Sequence, residues 1–163
     1  MKRILLVCTG NICRSPLAEA LMLKALEERG RDRIEVQSAG TGAWEGAPAS
    51  EGAYLVGLEH GLDLSEHRAK LLTKDLVKQA DIILTMARHH RQRAQELGGE
   101  GRTYLLGEYA GLKGQEAEVG DPFGSGLEVY RSTYDELEQL VEKAADRLVK
   151  EWGEERDNAD RRE

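Results

Sequence analysis

Cys8 and Arg14 bracket five residues, Thr9, Gly10, Asn11, Ile12 and Cys13, and Ser15-Pro16 follows at once. These residue types suit nucleophilic attack on a bound phosphate ester. The backbone N–H groups of so short a loop can converge on an anion as a nest. A helix with Ser15 as N-cap and Pro16 as its first residue would aim its positive end at the same point. Gly10 and Asn11 tolerate the positive φ that such a loop demands. Arg14 can grip two oxygens with its planar fork. The same positive field should hold Cys8 as thiolate, the nucleophilic form. The Ser15 hydroxyl can hydrogen-bond the sulfur and help it depart in a second step. A lone cysteine in a strand–loop–helix turn is more often plain core, but that bland reading leaves Arg14 unexplained.

The elements that must position this loop are legible around it. Ile4 to Val7 is an uninterrupted apolar run, as in a parallel strand buried on both faces. After Pro16, Leu17, Ala18, Leu21, Met22 and Ala25 recur at helical spacing, and Arg29-Gly30 ends the helix. Ile34, Val36 and Ser38 mark a second strand, Asp81 to Met86 a third, and Arg102 to Leu106 a short fourth. Helices are expected at Ala49 to His60, stopped by Gly61, and at Ala87 to Leu97. The segments Gly40 to Pro48 and Gly107 to Gly120 read as irregular. From Leu127 a long helix carries Tyr130, Tyr134, Leu137, Val141, Ala144 and Leu148 on one stripe. Strands alternating with helices imply parallel pairing through right-handed crossovers. The expected fold is therefore a three-layer α/β sandwich, with roughly four parallel strands flanked by helices. Ligands of such sheets bind beyond the carboxyl ends of the strands, where Cys8 falls.

The 163 residues suit a single domain, expected over 1–152, with a charged, frayed tail over 153–163. The net charge of −7 argues against nucleic acid as a partner and leaves anion binding to local devices. No apolar run is long enough for a membrane span or signal peptide, so a cytoplasmic location is expected. Two cysteines form no disulfide framework, and their spacing is poor for structural zinc. Breaking a phosphate ester also needs a group to protonate the leaving oxygen and later deprotonate water. Asp121, in a glycine-bounded Asp-Pro loop, is the candidate. His89 and His90, adjacent in a polar helix, read as solvent-facing. An aryl phosphate would need a slot with flat apolar walls, for which Ile12, Trp44 and Phe123 are candidates.

"VCTGNICRSP" resembles the signature loop of the low-molecular-weight protein tyrosine phosphatases. Cys-x5-Arg-Ser alone is shared by several phosphatase families; the longer string, ahead of a helix, is more specific. The likeness continues in "SAGTGAW" (38–44), "HRAKLLT" (67–73), "DIILTM" (81–86) and "DPFG" (121–124). The resemblance implies a hydrolase acting through a phosphocysteine on phosphorylated proteins or small aryl phosphates, with no cofactor or metal. Cys8, Arg14 and Asp121 would be catalytic, with Asp121 the general acid. Residues Thr9 to Ser15 would bind phosphate. Asn11, Ser15, Ser38 and His67 would hold the loop in shape. Cys13 would pair with Cys8 under oxidation and shield it.

Two departures pull apart. "DPFG" followed by "YRSTYDELEQL" looks more like the branch that dephosphorylates phosphoarginine on proteins. That branch typically has threonine where this chain has Ile12, and isoleucine narrows the slot toward an aromatic ring. Tyrosine is favoured and arginine is the runner-up. Arsenate reductases share the loop but relay a disulfide through further cysteines, which this chain lacks. A non-catalytic phosphate-binding module would be expected to lack the nucleophile, the arginine or the acid, and all are here.

Overall fold

The computed structural model describes residues 1–161, with side chains described as far as residue 153. Four parallel strands, β1 (Arg3–Cys8), β2 (Glu35–Gly40), β3 (Ile82–Thr85) and β4 (Thr103–Leu105), form one sheet in the order β2-β1-β3-β4. Helices α1 (Arg14–Glu28), α2 (Glu51–Glu59), α3 (Lys74–Gln79), α4 (Arg88–Ala94), α5 (Leu106–Tyr109) and α6 (Leu127–Arg161) connect and flank the strands. This is the α/β architecture expected from the sequence. Among the described residues no helix is long and apolar enough to cross a membrane.

The period-two alternation of β1 divides the core. Ile4, Leu6 and Cys8 face the side covered by α1, α2 and α6; Leu5 and Val7 face the side that holds Val77 of α3 and Ala94 of α4. Both sets are buried, which is why the run carries no polar residue. The predicted stripe of α6, from Tyr130 to Leu148, is buried throughout. The backbone of α6 continues to Arg161; the expectation of a frayed tail falls largely on residues 154–163 and so lies outside the residues whose side chains are described.

Several details differ from expectation. α1 begins at Arg14, so Pro16 lies inside the first turn, where a missing N–H costs nothing. Ser15 is not the N-cap, because its hydroxyl is engaged with Cys8 and Asn11. α3 was unforeseen: six residues show no periodicity, and only the Thr73 cap, accepting from Leu76 N–H, announces it. The stretch taken as irregular holds α5 and a 3-10 turn at Gly114–Ala117. α4 is shorter than expected and passes into a π-helical turn at Gln95–Gly99.

Gly40 is where β2 meets the loop after β1. A Cβ there would lie 2.3 Å from the Thr9 carbonyl oxygen and 2.8 Å from the Asn11 nitrogen, both backbone atoms that cannot swing away. Gly40→Ala is therefore expected to lower stability by about 1–3 kcal/mol, the usual cost of overpacking. Gly120→Ala, where an added methyl meets nothing within 4 Å, should leave the thermal midpoint nearly unchanged. Comparing the two melting curves checks this.

Candidate active site

Cys8, the last residue of β1, is buried at the carboxyl edge of the sheet. The chain then turns through 9–13 and enters α1. Asn11 sits at φ 56°, the single non-glycine residue with positive φ among the described residues. Gly10, expected to share that role, does not take it.

The Asn11 side chain is fully buried and fully used. Its Nδ2 donates to Ser15 Oγ at 2.8 Å and to Ser38 Oγ at 2.9 Å, and its Oδ1 accepts from Lys70 N–H at 2.9 Å. Its backbone carbonyl accepts from His67 Nε2 at 2.6 Å, which fixes that nitrogen as the protonated one. Ser38 donates to Glu19 Oε1 at 2.5 Å. Ser15 Oγ lies 2.9 Å from Cys8 Sγ and donates to it when the sulfur is a thiolate, which can only accept. The structure thus brings together Asn11, Ser15, Ser38 and His67, as the resemblance implied, and adds Glu19 and Lys70.

Arg14 is 3% exposed. Its Nη1 donates to the Val119 carbonyl at 2.8 Å and its Nη2 lies 3.7 Å from Asp121 Oδ2. Its Nε is the one buried side-chain nitrogen or oxygen without a hydrogen-bond partner among the described residues. A buried donor left so costs about 1–3 kcal/mol, which an oxyanion beside it would recover. A cavity of about 180 Å³ opens here, lined by Cys8, Thr9, Gly10, Ile12, Cys13, Arg14, Asp121 and Phe123. Asp121 is exposed at its rim, with Oδ1 accepting from Phe123 N–H at 3.0 Å. Trp44 is not among the lining residues and is 84% exposed.

Cys13 is buried against α2 and α6. Its thiol donates to Ser50 Oγ at 3.2 Å and lies 3.4 Å from the Tyr130 hydroxyl. Burial pushes its pKa up despite these contacts, so Cys13 is held as a thiol. Burial likewise pushes Tyr130 up to about 12. Ser50 caps α2, and Tyr130 belongs to the predicted core stripe of α6; nothing in their spacing ties them to the loop.

His90 corrects the expectation that both adjacent histidines face solvent. His89 is exposed, but His90 is completely buried and meets Thr9 Oγ1 at 2.7 Å through Nε2. One residue turns a helix by about 100°, enough in the first turn of α4 to leave His89 at the surface and carry His90 into the sheet end.

A phosphate-sized cavity with a cysteine at its floor and a buried arginine beside it defines a class: the protein is a cysteine-dependent phosphatase. More narrowly, it belongs to the low molecular weight phosphotyrosine protein phosphatase family, whose model matches residues 3–155. The chain is 40% identical over 151 residues to a protein-arginine-phosphatase of Geobacillus stearothermophilus, covering 91% of this chain and 97% of that one. A low molecular weight protein tyrosine phosphatase from T. tengcongensis superposes with TM-score 0.83 at 41% identity, covering 91% of this chain and all of the other. The YwlE arginine phosphatase, solved as a cysteine-to-serine mutant with a phosphorylated active-site serine, gives TM-score 0.83 at 37% identity over 90% and 95% of the two chains.

Asn11→Ala would strand the Lys70 N–H, unseat two hydroxyls and place alanine at positive φ. Leaving buried groups unsatisfied should cost about 1–3 kcal/mol, read as a lower urea midpoint. A midpoint matching the unmodified protein would refute the bracing role.

Proposed function

We propose that the protein hydrolyses phosphotyrosine on proteins through a phosphocysteine intermediate. One observation carries this: Cys8 Sγ, 2.9 Å from the Ser15 hydroxyl, shares a small cavity with Arg14, whose buried Nε has no protein partner among the described residues. In this reading the phosphoryl oxygens take the loop N–H groups and the Arg14 fork, where charge develops during transfer. Cys8 Sγ attacks phosphorus as the P–O bond to the leaving group breaks, and the Asp121 carboxyl gives its proton to the departing oxygen. Asp121, now a carboxylate, takes a proton from water, whose oxygen attacks phosphorus. The P–S bond breaks, and the Ser15 hydroxyl stabilises the returning thiolate. The phosphorylated serine that replaces the cysteine of the YwlE relative supports attack from this position.

Ile12 and Phe123 would wall the ring of the substrate, Ile12 half-buried and Phe123 exposed at the mouth. Trp44, 84% exposed, would meet the substrate protein around the slot. Phosphoproteins in the cytoplasm, or small aryl phosphates in an assay, are the substrates this reading names. Cys13, next along the loop, would form a disulfide with Cys8 when an oxidant such as hydrogen peroxide takes two electrons from the pair.

The same chemistry on phosphoarginine is the second reading, favoured by the arginine phosphatase of Geobacillus stearothermophilus and by "DPFG". Side-by-side turnover of phosphotyrosine and phosphoarginine peptides separates the two. Phosphotyrosine should be cleaved faster, and Ile12→Thr should shift the ratio toward phosphoarginine; faster phosphoarginine cleavage by the unmodified protein would reverse the assignment. Thioredoxin-coupled reduction of arsenate should be absent.

Hydrolysis of p-nitrophenyl phosphate should proceed without added metal and vanish in Cys8→Ser. Asp121→Ala should slow it by roughly 10² or more, the usual share of a general acid. An unchanged rate in either variant removes that residue from its role.

A further inference from the structure

We infer that His90 is a positioning residue for this reaction: its ring ties the first residue of the phosphate loop to the corner between β3 and α4. The inference rests on the loop being the phosphoryl site.

Two contacts determine the state of the ring. The Ala87 backbone N–H donates to His90 Nδ1 at 3.0 Å, and an N–H can only donate, so Nδ1 carries a lone pair. The proton of the neutral ring is therefore on Nε2, which donates to Thr9 Oγ1 at 2.7 Å. Burial, then the charges of His89 and Arg14, lower the pKa to about 3, so the ring stays neutral wherever the enzyme is folded and active. His90 is a fixed donor.

Its placement gives that donor a purpose. Thr9 follows Cys8 directly, and its carbonyl already accepts from Gly42 N–H at 2.9 Å on the β2 side. His90 holds the same residue from the α4 side. The corner from which it reaches also governs the far end of the loop. Met86 N–H donates to Val7, Val119 N–H donates to Met86, and the Val119 carbonyl holds Arg14 Nη1. One corner thus carries the entry of the loop through His90 and its exit through Val119. A shift between these ends would spread the N–H groups that must fit the five-coordinate phosphorus more closely than the ground-state ester.

The two ring nitrogens have separable duties. Nδ1 caps the start of α4, a structural task; Nε2 acts on the loop. His90→Asn keeps an acceptor near Nδ1 but falls short of Thr9. His90→Gln returns an N–H to the reach of Nε2. Thr9→Val removes the acceptor without changing shape, on an exposed side chain whose loss does not threaten folding.

On p-nitrophenyl phosphate, His90→Asn and Thr9→Val should each lower kcat roughly tenfold, the scale of one hydrogen bond, with KM changed less than about threefold. The double variant should be no slower than either single one, since both remove the same contact. His90→Gln should recover most of the loss. Orthovanadate, which becomes five-coordinate on such a thiolate, should bind about tenfold more weakly to the two impaired variants, in step with kcat. Losses that add in the double variant overturn the inference. So does a His90→Gln protein as slow as His90→Asn, or a Thr9→Val protein with unmodified kcat and vanadate affinity. Should the unmodified protein turn over no phosphate ester, the hydrolytic reading fails, while the vanadate measurements still decide the role of His90.

Discussion

The left-handed backbone of Asn11 is the constraint on which the site depends. A loop that turns its N–H groups inward needs one residue at positive φ, and here it is an asparagine rather than a glycine. Glycine would adopt the angle more easily but would bring no side chain. Asparagine stabilises the angle from within, because each amide hydrogen and the amide oxygen finds a partner on a different segment. The turn is thereby tied to α1, to β2 and to the stretch ahead of α3. Changing any one of them moves the loop.

The chain solves a charge problem with local means. A protein of net charge −7 holds a buried guanidinium and, in the proposed reaction, draws in a phosphorylated substrate. Among the described residues the carboxylate paired with Arg14 is Asp121, 3.7 Å away on an exposed loop. A tight Arg14–Asp121 pair would satisfy the guanidinium and compete with the substrate. A carbonyl, Val119, orients one nitrogen instead and leaves Nε facing an unmet need. A buried donor so placed can be satisfied by an oxyanion bound beside it.

The two cysteines sit in one loop yet in different surroundings. Both line the cavity, but Cys8 meets the Ser15 hydroxyl at 2.9 Å, whereas Cys13 meets Ser50 and Tyr130, and burial raises its pKa. The loop between them thus gives two residues of one type different hydrogen-bond partners.

Much of this was written locally in the sequence. The apolar run of β1, the Cys-x5-Arg-Ser spacing and the stripe of α6 reflect periodicities and short loops that neighbouring residues determine among themselves. Asp121 was suggested by its glycine-bounded Asp-Pro loop as well as by the resemblance, whereas the supporting Ser38 and His67 were reachable only through the resemblance, since no periodicity links them to the loop. What the tertiary structure alone decided involves partners far apart in the chain: Val119 on Arg14 across 105 residues, Tyr130 on Cys13 across 117, and His90 on Thr9 across 81. The same holds for Trp44, whose side chain the fold leaves 84% exposed. Whether a side chain faces in or out depends on the phase of its helix or loop against the sheet. That phase is set by packing between distant segments, so two adjacent histidines of equal chemistry could not be told apart until α4 was docked.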